Sequence, residues 1–257
     1  MIDWLRRPPF ARTGRAATPA EPARPEPRRT VSVGGRDLPL VVRKLRQAQR
    51  MTLRLAPDGR EVRVSIPAWG RVGEAEAFAR DRSDWLARQL ATVAAPSLVE
   101  PGATLPYRGE ALVVNWQATA RRTPVLDDGA IVVGGPLDGL SRRLQRWLEA
   151  DAKRLFADDL AHYCTQARED VPPLGLSRAQ RRWGSCAADG TIRVNWRLVM
   201  APDFVRRSVV AHEVAHLAHF DHSPAFHAHL DRVFEGDIAA ANRWLKRSGR
   251  SLYQPFG

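Results

Sequence analysis

The stretch AHEVAHLAHFDHSPAFHAH, residues 211–229, holds six of the chain's seven histidines. Within it, His212-Glu213-Val214-Ala215-His216 has the form H-E-x-x-H, and Phe204, Val205, Ser208 and Val209 just upstream give it a helical buried face. Pro202 and Asp203 suit the start of that helix, proline for its fixed φ and the acid for the positive end of the dipole. Four residues advance a helix by about 400°, so His212 and His216 lie one turn apart on one face and can grip a single ion. Glu213 is turned about 100° away, which suits it to reach a metal-bound water rather than the metal. A catalytic zinc takes three protein ligands and keeps a fourth position open, so a third ligand is required. His222 is preferred: Ser223-Pro224 reads as the N-cap and first residue of a new helix, forcing the first helix to end and the chain to turn. His219 is the rival. On a continuous helix, however, His212 and His219 would span about 10 Å, too far for one ion. His219 is therefore expected to face the substrate, to support the ligands or simply to be exposed, and His227 and His229 to be bystanders on the next helix.

Outward from this helix, RRWGSCAADGTIRVNWRLV (181–199) reads as a hairpin, with Ala188-Asp189-Gly190 as its turn and Ile192, Val194, Trp196 and Leu198 alternating along the return strand. Residues 138–170 place Leu144, Trp147, Leu148, Leu155 and Tyr163 on one stripe, predicting a long helix capped by Asp138 or Ser141. In the first half, Met51, Leu53 and Leu55 alternate, Pro57-Asp58-Gly59 turns the chain, and Val62, Val64 and Ile66 alternate again, which is a second hairpin. Gly73–Ala91 reads as one helix, and ALVVNW and AIVVGG as short strands. The expected fold is α+β. Residues 1–29, rich in Pro and Arg, form a flexible tail; 30–137 form a mixed β-rich unit; 138–250 form the domain carrying the histidines; 251–257 form a C-terminal tail.

Composition narrows the function classes. The 257 residues include eight tryptophans and 44% hydrophobic residues, enough for one large core or two modest ones. No apolar run reaches the roughly 20 residues of a membrane span, and the N-terminus lacks the apolar core of a secretory signal, so a cytoplasmic location is expected. Two cysteines, Cys164 and Cys186, make no disulfide framework. A formal charge of +12 suggests nucleic acid association through a basic surface or the tail. No membrane partner is expected, and oligomeric state is not legible.

QRRWGSCAADGTIRVNWRLVMAP followed by VVAHEVAHLAHFDHSPAF resembles the YgjP-like (DUF45) zinc metallopeptidases, relatives of the WLM and SprT-like proteases within the zincins. The resemblance extends to RMTLRLAPDGREVRVSIP and FARDRSDWLARQL, covering about residues 30–248. It implies a zincin-like C-terminal domain, one zinc ion on His212, His216 and His222, Glu213 as the catalytic glutamate, and a peptide or protein substrate. His227 departs from the family, where tryptophan is common. On this reading the chain is a zinc metalloendopeptidase that hydrolyses peptide bonds through a zinc-bound water activated by Glu213. Arg181, Tyr163 and His219 are candidates for stabilising the oxyanion. The stretch Trp183-Gly184-Ser185-Cys186 is a candidate edge for pairing with an extended peptide, though its tryptophan, like Trp196, also suits sheet packing.

Three other readings compete. A deformylase-like site would recruit Cys186 as a ligand, but WGSC is not that motif. HEVAHLAHFDH shares its histidine spacing with a metal-dependent endoribonuclease family that matures ribosomal RNA; that family has glycine where this chain has Glu213. A structural zinc would need a fourth protein ligand from His219 or Cys186. By analogy with its relatives, a DNA-associated SprT-like protease is a further variant of the peptidase reading.

Overall fold

The structure, a computed structural model, describes residues 29–56, 58–91 and 99–256. They fall into two compact units that part at residues 95–96. In the first, β1 (Thr30–Val33), β2 (Arg36–Leu45), β3 (Thr52–Leu55) and β4 (Val62–Pro67) form a sheet of order β1-β2-β4-β3. The hairpin read from alternation is present, with Leu55 opposite Val62 and Leu53 opposite Val64. Val62, Val64 and Ile66 are fully buried, against the core that Ala75, Ala79 and Leu86 join. The single helix expected over Gly73–Ala91 is instead two, α1 (Val72–Asp81) and α2 (Ser83–Ala91), because Arg82 leaves helical geometry at φ −107°, ψ 13°. The tail expected over 1–29 lies outside the described residues except for Arg29, which pairs with Glu76 at 3.1 Å.

The second unit opens with β5 (Thr104–Tyr107), β6 (Glu110–Trp116), β7 (Val125–Asp127) and β8 (Ala130–Val133), in the order β5-β6-β8-β7. The sequence groups these strands with the N-terminal half. Their inward residues, among them Leu105, Val114 and Ile131, share one core with Leu144 and Leu148 of α3 (Leu140–Ala167), and so belong with the C-terminal half. A 3-10 turn at Leu137–Gly139 leads into α3, and Gly139 is its N-cap without a side-chain cap; Asp138 and Ser141 do not serve as caps.

A three-stranded sheet follows, of order β10-β11-β9, from β9 (Leu174–Ser177), β10 (Gly184–Cys186) and β11 (Ile192–Asn195). The β10–β11 hairpin turns where expected: Gly190, at φ +80°, donates to Ala187 O at 2.9 Å, a backbone region open to glycine. The return strand is shorter than its alternation suggests. Asn195 accepts from the Arg197 amide, and Trp196–Met200 becomes a buried 3-10 turn. Helix α4 (Asp203–Ala218) then packs on α3, and Arg206 on α4 pairs with the buried Asp159 of α3 at 2.7 Å. Helices α5 (Pro224–Val233) and α6 (Ile238–Ser248) complete the unit.

The C-terminal tail expected over 251–257 is instead folded through residue 256, and residue 257 lies outside the described residues. Gly249–Tyr253 forms a 3-10 turn with Leu252 and Tyr253 buried, and the Phe256 ring sits 5.7 Å from that of Trp196. No helix among the described residues is long and apolar enough to cross a membrane. Both cysteines are free.

Candidate metal centre

Helix α4 presents His212 and His216 on one face and stops at Ala218; His219 is its C-cap, extended at φ −137°, ψ 106°. Helix α5 starts as the sequence implies, with Ser223 as N-cap accepting from the Phe226 amide and Pro224 in the first turn. The intervening loop returns His222 to α4. Ligand atoms of His212, His216 and His222 all lie within 4.8 Å of one another. The Nε2 atoms of His212 and His222 are 3.3 Å apart. Two nitrogens bound to one tetrahedral zinc at about 2.0–2.1 Å are separated by about 3.3–3.4 Å, so this spacing fits the ion.

The protonation states fit as well. Burial above all, then the neighbouring imidazoles, holds His212 well below the ordinary histidine value, and burial lowers His216 and His222 too. All three are thus neutral near pH 7, the form that ligates. The His219 carbonyl, which can only accept, lies 2.9 Å from His216 Nδ1. That ring therefore carries its proton on Nδ1 and leaves Nε2 for a metal. His219 thus supports the site through its backbone, while its imidazole lies 5.6 Å from the ring of His229. His227 is exposed, 6.4 Å from the His222 ring.

Beneath the trio lies Phe226, a residue not singled out in the sequence. Its ring is 5.0, 4.6 and 4.9 Å from those of His212, His216 and His222 and is fully buried. Its only local signal is its position three residues after the Ser223 cap. Phe226→Ala is expected to cost about 3–5 kcal/mol of stability as a cavity-forming change and to weaken zinc binding roughly 10–100-fold through loss of ligand support. Urea unfolding and zinc titration measure both.

Glu213 is 3% exposed. Burial pushes its carboxyl up to about 8, opposed by the positive charge of Arg182 and by the Cys186 amide, which donates to the carboxylate. Strand β10 thus lies along Glu213, at the edge of its sheet. Gly184 makes this approach possible: a Cβ there would stand 2.3 Å from Glu213 Oε1 and 2.7 Å from its Cδ. Gly184→Ala is expected to displace the carboxylate and cut kcat/KM by about 10²-fold, the scale of a lost proton-transfer group, with zinc stoichiometry unchanged on metal analysis.

The other candidates separate. Burial raises the Cys186 thiol to about 11, and it is not among the residues that converge on the metal position. The deformylase-like ligand set therefore does not assemble. Trp183, just before β10, packs on Tyr253 at 5.6 Å. Ser185 sits mid-strand, opposite Arg193. Tyr163 is fully buried and its hydroxyl donates to Glu235 at 3.1 Å, so it is not available to an oxyanion. Arg181 is exposed, and it is the neighbouring Arg182 whose charge reaches Glu213.

Three converging histidines, two on one helix and one on the loop after it, match the number of protein ligands of a catalytic zinc site. A family model described as YgjP-like, metallopeptidase domain, matches residues 49–248, and the chain belongs to this family. Neither the curated proteins nor the solved structures yielded a match.

Proposed function

We propose that the chain is a zinc endopeptidase in which His212, His216 and His222 hold the ion and Glu213 moves the proton. The observation that carries this reading is the convergence of three neutral imidazoles within 4.8 Å, two from α4 and one from the loop after it, beside a buried glutamate of α4 that faces an edge strand. When bound, zinc supplies a Lewis acid that acidifies water and polarises a carbonyl oxygen. Glu213 takes the proton of the attacking water and returns it to the leaving amine, and its raised affinity for a proton suits both halves of that task. The Cys186 amide holds one end of the carboxylate in place. An extended substrate adds to the outer edge of β10, beside Glu213. Arg182 offers positive charge as the carbonyl oxygen becomes anionic.

Glu213 and the YgjP-like match favour this reading over the endoribonuclease one. The test is zinc analysis of the full chain, with cleavage assays on an unfolded protein and on a structured RNA. Expected are one zinc per chain, proteolysis that stops on chelation and returns with zinc, and intact RNA. RNA cleavage without proteolysis overturns the proposal.

A further inference from the structure

Strands β2 and β4 run parallel, with Leu45 opposite Pro67, and each enters a β-turn at that level. In one, the Ala48 amide donates to Leu45 O at 3.1 Å; in the other, the Gly70 amide donates to Pro67 O at 3.0 Å. Neighbouring strands lie about 4.8 Å apart, so the turns stand side by side at one end of the sheet. The first turn carries Arg46 at its crest. The second carries Trp69, which is 78% exposed, the most exposed of the large apolar side chains described. Arg43, Lys44, Arg50 and Arg71 are exposed around them. No acidic residue occurs between Asp37 and Asp58 in the sequence, a span with five Lys or Arg. Beyond the other turn, the side chain of Glu74 in the first turn of α1 accepts from the Arg71 amide.

A tryptophan held out on a turn, beside a turn of cations, combines the two requirements for single-stranded nucleic acid: a face on which a base stacks and charges that track phosphates. We infer that this end of the N-terminal sheet binds single-stranded nucleic acid without strong sequence preference, separately from the metal centre. Arginine outnumbers lysine here. Its planar guanidinium grips phosphate in two places and stacks on bases, whereas a membrane dock would need a broader apolar face than Trp69 and Leu45 provide.

The test is fluorescence anisotropy of the full chain with labelled oligothymidylate and oligouridylate. Expected is a Kd of about 1–100 µM at physiological salt, with log K falling linearly against log salt. Trp69→Ala weakens binding about ten-fold at every salt concentration, while Trp69→Phe retains most of it. Arg43→Ala with Arg46→Ala lowers the salt slope by about 0.7 for each phosphate that is no longer neutralised. All these side chains are exposed, so unchanged thermal midpoints accompany the weaker binding. No binding by the wild-type chain at 50 mM salt, or equal binding by both the Trp69→Ala and the double-arginine variants, overturns the inference. So does a Trp69→Ala variant that loses anionic vesicles but keeps the oligonucleotides.

Discussion

Glu213→Gln is expected to leave zinc at one per chain and to abolish peptide hydrolysis, with kcat falling by about 10²–10⁴-fold, the usual contribution of a positioned proton-transfer group. Gln keeps the size of Glu213 and still accepts from the Cys186 amide, so the change isolates the proton. The same substitution is expected to stabilise the metal-free protein. The folded carboxyl lies near 8, above its ordinary value of 4.5. The native state therefore favours the neutral acid, and wild-type stability from this group is full below pH 4.5 and lost as pH rises from there through about 8. Gln, always neutral, loses nothing over that window. The variant's advantage in unfolding free energy should be absent at pH 4 and grow to a few kcal/mol by pH 8, measured by urea denaturation in chelator. A residue that merely braced the fold would lose activity and stability together. Unchanged hydrolysis by the variant would refute the assigned role.

Much of the site is legible in the sequence because its signals are local. The spacing of His212 and His216 is set by helix geometry, and Ser223-Pro224 announces the break that brings His222 back. What escapes the sequence depends on partners distant in the chain. Ile192, Val194, Trp196 and Leu198 alternate like a strand, yet from Trp196 onward every residue through Met200 is buried. Even Arg197 is enclosed, its guanidinium 4.7 and 4.6 Å from the rings of Trp196 and Tyr253. Alternation cannot distinguish a half-buried strand from a turn buried on all sides. Leu252, Tyr253 and Phe256 form too short a segment to show any period, so they read as a tail although Leu252 is buried, Tyr253 packs on Trp183 and Phe256 on Trp196. The apolar runs of β6 and β8 are recognisable as strands, but a local pattern does not say which core a strand joins. Gly184 stands out in the sequence only as unhindered backbone; its approach to Glu213 joins residues 29 apart in the chain and is a fact of packing alone.

His222→Ala is expected to weaken zinc binding by roughly 10²–10³-fold. Structural zinc sites bind with about 10–16 kcal/mol, so an even share among four ligands is about 2.5–4 kcal/mol each. His222 lies in the loop between α4 and α5 and is only partly buried, so the metal-free variant should unfold at the wild-type midpoint. The difference emerges on adding zinc. At a zinc concentration of about 100 times the wild-type Kd, wild type gains about 2.7 kcal/mol, whereas a variant bound about 100-fold more weakly gains about 0.4 kcal/mol. His219→Ala discriminates the rival ligand. The group that holds His216 is the His219 carbonyl, which survives substitution of the side chain, so this variant should bind zinc within a few-fold of wild type. Cys186→Ala should likewise retain the metal. If zinc is lost on changing His219 or Cys186 and kept without His222, the ligand set is a different one. The loop from Ala218 to Ser223 would then need another reason for ending α4 where it does.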